Sequence, residues 1–310
     1  MMSLEKILND DKLHIFLLGS GGPMNNEKRV ASSIAIIAGG EFILVDIGPG
    51  TYRNIDLLRL PVTHLSEIFL THFHSDHIGD LGEANMMSWV NGRTKPITVH
   101  GPEGVDKVVN GFIMAYDFDS RYRIAHHGKD FVPLEASVLL SKPITLKDDN
   151  ERSLCFDKNG LKVFAFKVNH SPIEPAFGYR IEFKGNIIVI TGDTIKTDNL
   201  VKHSEDADIL FSEAISYELL NNLIENVRRV NLSRTVKLLT DIQSYHMDPI
   251  TAAKLATEAR VKKLVLVHVT PPLLNPKTES LYLDGISEYF DGEVILGEDR
   301  MRFNLSPKEI

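Results

Sequence analysis

Residues 71–80 read THFHSDHIGD, and within them His72, His74, Asp76 and His77 fall inside six positions. Four ligand-type side chains packed this densely are hard to explain as a chance polar turn. Alternating positions of an extended turn aim His72 and His74 at one point, while Asp76 and His77 serve a second. Imidazole and carboxylate together suit zinc, with manganese and iron as alternatives. The short apolar run Ile68 to Leu70 precedes the cluster, and a helix-like stretch follows Gly79. The cluster therefore sits just past a strand's C-terminal end.

Working outward, strands gather on both sides. LHIFLLGSGG (13–22) runs into a glycine-rich turn, and SSIAIIAGGEFILVDIGPG (32–50) gives two strands joined by Gly39-Gly40. ITVHGPEG (97–104) is a short strand, followed by helical spacing in GVDKVVNGFIMAYDF (104–118). LKVFAFKVNHS (161–171) and FGYRIEFKGNIIVITGDT (177–194), turning at Lys184-Gly185-Asn186, continue the pattern, and ADILFSEA (207–214) and KKLVLVHVTPP (262–272) are buried strands. DPITAAKLATEAR (248–260) has the composition of a packed helix, with Asp248 as N-cap and Pro249 at its first position. LKDDNERSLCFDKNG (146–160) reads as a surface loop or hairpin. Strands come in groups, then a helix or two, in both halves. This predicts an α/β fold with two sheets face to face and helices outside, a four-layer αββα sandwich. No linker divides the chain, so residues 1–310 are expected to form one domain.

Composition bounds the class. Of 310 residues, 43% are apolar and 25% charged, the average of soluble globular proteins. No apolar run approaches the ~20 residues that span a bilayer, and the N-terminal MMSLEKILNDDKLH mixes acids with bases, so a cytoplasmic protein without a membrane partner is expected. The one cysteine, Cys155, has no thiol partner and is read as structural. Lys and Arg total 34 against 42 Asp and Glu, a formal charge of −8 that disfavours long-range attraction of a polyanion such as RNA. Arg121, Arg123, Arg228, Arg229, Arg234 and Lys237 form loose basic clusters. Solvated helix faces account for most such runs, which still leaves room for a local patch.

THFHSDHIGD matches the H-x-H-x-D-H signature of the metallo-β-lactamase superfamily, and the later motifs follow in that family's order over nearly the whole chain. They are His170 in VNHSPIEPAFGYRIE, Asp193 in TGDT and His268 in LVLVHVTPP, each after a predicted strand. Singly, a histidine or a strand-end Asp before Thr has ordinary polar or capping roles; their joint order gives them weight. By this resemblance His72, His74 and His170 hold one metal and Asp76, His77 and His268 the other, with Asp193 bridging. The resemblance implies two Zn2+, with Mn2+ or iron as alternatives. GSGGPMNNEKRVASS (19–33) resembles the opening turn of the ribonuclease Z branch, and VDIGPGTYR (45–53) the next turn. There Asp46 either partners a ligand histidine or caps the turn that follows it.

FGYRIE, GDT, ADILFSEA and YHMDPITAAKLATEARVKKLVLVH resemble both ribonuclease Z and arylsulfatase-like enzymes. Ribonuclease Z reads roughly His-Glu-Ala-Thr and His-Ser-Thr where this chain has Ser212-Glu213-Ala214-Ile215 and His246-Met247-Asp248. Glu213 and His246 are kept, and the first motif's histidine is not. The basic Gly- and Pro-rich arm with which ribonuclease Z captures tRNA has no counterpart, because residues 128–154 are short and mixed in charge. AYDFDSRYRIAHHG, MMSWVNGR and VHGPEG look closer to the arylsulfatase-like branch, where His100, His126 and His127 either line the pocket or lie on the surface.

The resemblance implies a hydrolase of small phosphoric or sulfuric esters using a hydroxide between two metals, with Asp76, His246 and Glu213 as catalytic residues. His246 would donate a proton to the leaving group, held by Glu213; the bland alternative is two unrelated salt links. A small-molecule ester is the expected partner, tRNA is not expected, and homodimers are common in the branch. The rival functions are 3′ processing of tRNA precursors, opening of a lactone or β-lactam ring, and a scaffold without catalysis.

Overall fold

The computed structural model describes residues 4–308. The strands are β1 Leu13–Gly19, β2 Ser33–Ala38, β3 Glu41–Val45, β4 Leu65–Phe69, β5 Ile97–Gly101, β6 Leu139–Pro143, β7 Arg152–Lys158, β8 Leu161–His170, β9 Ile173–Phe183, β10 Asn186–Ile190, β11 Ile209–Ile215, β12 Lys263–Thr270, β13 Glu293–Leu296 and β14 Arg302–Leu305. They form two seven-stranded sheets, ordered β14-β1-β2-β3-β4-β5-β6 and β13-β12-β11-β10-β9-β8-β7.

Strands β1, β2 and β3 are buried along their whole length, because both faces of their sheet are covered. Between the sheets lies a core of Ile15, Leu17, Ile36, Ile43, Phe69, Val163, Tyr179, Phe211 and Val265. Outside the first sheet, Leu81, Ala84, Val105 and Val109 from helices Leu81–Val90 and Val105–His127 pack on Phe16, Leu44 and Ile68. Outside the second, Leu200, Ala252, Ala253, Leu255 and Tyr282 do the same against Val189, Leu210 and Leu266. The architecture is the expected αββα sandwich.

Local chemistry sets the turns. Gly39 and Gly40 take φ of 59° and 81° between β2 and β3. Lys184 and Gly185 take 45° and 78° between β9 and β10, the two left-handed residues that match the twist of a tight hairpin. Asp248 accepts a 2.7 Å hydrogen bond from the Thr251 amide, capping helix Pro249–Glu258 as anticipated.

Three segments differ from the sequence reading in extent. Residues 146–160 do hold a hairpin, but its first arm, β7, is the edge strand of the second sheet. The helix beginning after Gly104 continues to His127. Two helices not anticipated, Tyr217–Arg229 and Ser233–Asp241, form a hairpin between β11 and His246. Among the described residues, no helix is long and apolar enough to cross a membrane.

Strands β3 and β4 run parallel, as do β10, β11 and β12, and β8 shares their direction through two antiparallel steps across β9. Their C-terminal ends converge on one edge of the sandwich, where open α/β sheets place their sites. The sheets are tied together there: Tyr179 Oη donates to the Leu70 carbonyl at 2.6 Å, and the Phe177 amide to that of Thr71 at 3.0 Å.

Candidate metal centre

At that edge one carboxylate oxygen sits amid four imidazoles. Asp193 Oδ2 lies 3.3 Å from His77 Nε2, 3.4 Å from His268 Nε2, 3.8 Å from His72 Nε2 and 4.0 Å from His170 Nε2. Asp76 Oδ2 is 3.3 Å from His268 Nε2 and 3.5 Å from His77 Nε2, and His74 Nδ1 is 2.9 Å from His72 Nε2. Three overlapping groups result, His72, His74, His170 with Asp193, Asp76, His77 with His268, and Asp193, His246 with His268, each with donor atoms within 4.8 Å of one another. All seven residues named from the sequence thus come together, and of these only His74 is exposed.

The backbone accounts for the convergence. His74 is extended (φ −62°, ψ 148°), and the short turn of helix Ser75–Ile78 then swings Asp76 and His77 inward. The loop before it passes so close that a Cβ on Gly48 would stand 2.1 Å from the Asp76 carbonyl oxygen, which restricts position 48 to glycine. Asp46 and His268 hold φ of 57° and 53°, a conformation unfavourable for residues with a side chain and typical of functional sites.

The nitrogens that face Asp193 are set by what holds the opposite side of each ring. His77 Nδ1 is 2.7 Å from Asp46 Oδ2, and Asp46 is itself fixed by the Thr71 amide at 2.8 Å and hydroxyl at 2.9 Å. Of the two roles open to Asp46, partner of a cluster histidine is the one it takes. His170 Nδ1 donates to the Tyr245 carbonyl at 3.2 Å, which leaves the Nε2 lone pair facing the cluster.

Burial holds His72 well below its usual pKa and His170 down at about 4, so both imidazoles are neutral near pH 7. Burial opposes ionisation of Asp193, but His268 and His77 beside it outweigh that and keep its carboxyl well below the usual range. His170 Nε2 is buried without a hydrogen-bond partner, and buried His77 Nε2 meets only carboxylate oxygens, Asp193 Oδ2 at 3.3 Å and Asp76 Oδ2 at 3.5 Å. Desolvated nitrogens converging on a shared carboxylate are costly by themselves and are what a cation would satisfy, so the cluster is suited to binding a metal ion.

A second unit adjoins it. Glu213, in β11, places Oε1 3.1 Å from His246 Nδ1 and accepts from the amides of Thr194 and Met247, also at 3.1 Å. The His246 ring stacks on His268 (5.2 Å, 20°) and meets His170 edge-on at 5.1 Å. Burial works against charge on His246, but the adjacent Glu213 carboxylate more than offsets it and lifts the imidazole to about 9. Glu213 and His246 therefore meet directly and are not parts of unrelated salt links. Ser212, where the resembled motif has histidine, turns its hydroxyl to the Glu213 carbonyl.

Other candidates lie elsewhere. His100 is buried, stacked on Phe69 at 4.4 Å and 2.6 Å from Glu67 Oε2, while His126 and His127 are exposed at the end of helix Val105–His127. None lines the cluster. Sequence reading missed Tyr217, whose hydroxyl donates to the His246 carbonyl at 2.6 Å, and Tyr245, whose only signal is adjacency to His246. Beside Asp76 a cleft of about 200 Å³ opens between Met24, Asn25, Asn26, Arg29, Pro49 and Ser75.

The chain matches the beta-lactamase superfamily domain over residues 41–269, which includes every cluster residue. It is 30% identical to a ribonuclease Z of Mycolicibacterium gilvum over 95% of this chain and 97% of that protein. A ribonuclease Z of Mycobacterium bovis is also 30% identical, over 96% and 99%. The crystal structure of human tRNase Z, short form, shares the fold with TM-score 0.66 at 23% identity, covering 94% of this chain and 98% of that one. The expectation of a small-ester substrate without tRNA is corrected by these relatives, among which the sulfate-ester reading has no counterpart. The inference weighed a net charge of −8, which averages over the whole surface, and the lack of an arm, and neither separates the chain from relatives named ribonuclease Z. The chain belongs to the metallo-β-lactamase superfamily, on its ribonuclease Z-like branch, and is a metal-dependent hydrolase acting on ester bonds.

Proposed function

We propose that this chain is an endonuclease of the ribonuclease Z type, cutting a phosphodiester on the 3′ side of a tRNA precursor. The observation that carries the reading is the buried Glu213–His246 pair stacked against the histidine and aspartate cluster. Hydrolysis of a phosphodiester in RNA expels a sugar oxygen, which needs a proton, and this pair is placed to supply one. Full-length similarity to proteins named ribonuclease Z supports the same choice.

On this reading His72, His74 and His170 would hold one divalent ion and Asp76, His77 and His268 a second, Asp193 serving both, with zinc the first candidate for this set of nitrogen and oxygen donors. Such ions supply an activated water near neutral pH and neutralise charge on the phosphate oxygens. The chain's own residues do the rest. Asp46 and the Tyr245 carbonyl fix the rings of His77 and His170, so the donor atoms need no reorganisation. His246 carries the proton destined for the departing sugar oxygen, and Glu213, anchored by two backbone amides, keeps that imidazole charged and aimed.

The test is direct. Protein loaded with zinc or manganese should cut a tRNA precursor once, on the 3′ side, and a chelator should stop it. Metal-loaded protein that leaves the precursor intact over a range of enzyme concentrations would overturn the reading.

A further inference from the structure

We propose that the helical hairpin Tyr217–Arg229 and Ser233–Asp241 is an RNA-binding arm, whose unpaired arginines Arg229 and Arg234 grip phosphates of the substrate away from the bond that is cut. The proposal rests on the endonuclease reading above.

The hairpin is inserted between the members of the catalytic pair, leaving the sheet just after Glu213 and returning just before His246. Its inner face, Leu220, Ile224 and Leu239, is buried with Ile215, and Met24 of the cleft beside Asp76 packs on the same cluster. Tyr217 Oη bonds the His246 carbonyl, so the base of the hairpin is fixed to the site. At the other end of the hairpin, residues 228–234 are all exposed.

Charge pairing separates this surface from other basic runs. On helix Val105–His127, Arg121 pairs with Asp117 at 2.9 Å and Arg123 with Asp119 at 3.0 Å, so those charges are answered locally. On the hairpin, Arg228 pairs with Glu225 and Lys237 with Asp241. Among the described residues, Arg229 and Arg234 have no acidic partner. They flank Val230 and Leu232, which are 63% and 53% exposed.

Tyr217 to Arg229 spans 13 residues of helix, so the tip stands about 18 Å along the helix axis from the site's edge at 1.5 Å per residue. No mononucleotide held at the cluster reaches that far; a polynucleotide does. Phosphate contacts of this kind position a nucleic acid without reading its sequence, and they provide a local positive surface on a chain that is acidic overall.

Binding of a tRNA precursor, measured separately from its cleavage, tests the arm. The double variant Arg229→Ala/Arg234→Ala should keep the wild-type Tm and metal content. It should bind on the order of tenfold more weakly at 0.1 M salt, with a plot of log Kd against log salt shallower by about 1.4 to 1.8, which is two phosphate contacts at 0.7–0.9 each. Arg121→Ala/Arg123→Ala should bind like wild type. A double hairpin variant with wild-type Kd and salt slope overturns the arm. Wild-type protein that binds through these arginines without cutting would overturn the endonuclease reading and leave the arm standing, and wild-type protein that does not bind at all overturns the arm.

Discussion

Around Asp193, charge is buried and held by residues from several strand ends; along the hairpin Tyr217–Asp241, charge lies in water on two helices that touch the body through one apolar face. In the first region each group exists to compensate another. Asp193 Oδ2 has four imidazole nitrogens within 4.0 Å, and removing it leaves several desolvated groups unanswered at once. In the second, each arginine acts almost alone, screened by salt over about 8–10 Å. Buried function is therefore cooperative and fragile, while exposed function is additive and tunable. The relative size of mutational effects should follow that division.

The largest effect is expected at Asp193. Asp193→Ala should lose the most metal of any single substitution in the cluster, and with it on the order of 10³-fold or more in kcat/KM, the several kcal/mol that bound ions contribute to the transition state. Elemental analysis of the purified variant checks the first part and turnover at saturating zinc the second. A variant that retains full metal content would show that the oxygen at the centre of the cluster holds nothing.

One step outward, Asp46→Asn keeps the size of the side chain but weakens its hold on His77 Nδ1. Metal affinity should fall about 10- to 100-fold, measured by competition with a chelator, while the fold persists. An unchanged affinity would reduce Asp46 to a structural link to Thr71. The hairpin arginines come last, with the roughly tenfold, salt-dependent loss of RNA affinity stated above. If salt changed the Asp193→Ala effect and left the arginine effect alone, the contrast between the two regions would be reversed.

The same contrast explains what could be read from the chain alone. Ligand chemistry at strand ends is compressed into short motifs, HFHSDH above all, so the cluster and the sandwich that positions it were legible. Asp46 was not decided, because its partner His77 lies 31 positions away and only folding shows which neighbour its carboxylate meets. The hairpin escaped notice although Leu220, Ile224 and Val227 recur at helical spacing, since nothing local says that these helices pack on Ile215 and Met24 beside the site. Strand β7 was blurred because an edge strand with little burial lacks the apolar alternation that marks a strand. The small-ester expectation went astray for a corresponding reason: net charge is a sum over the surface and does not say where individual cations stand.

The most direct measurement is the kinetics of His246→Ala with metal content verified, on a tRNA precursor and on bis(4-nitrophenyl) phosphate, whose leaving group departs without a proton. The account predicts a loss on the order of 10²–10⁴ in kcat on the precursor and a much smaller one on the nitrophenyl ester, with Glu213→Gln repeating the pattern more weakly. Equal losses on both substrates with the metal retained would contradict it, making His246 a residue that positions substrate and not the one that supplies the proton.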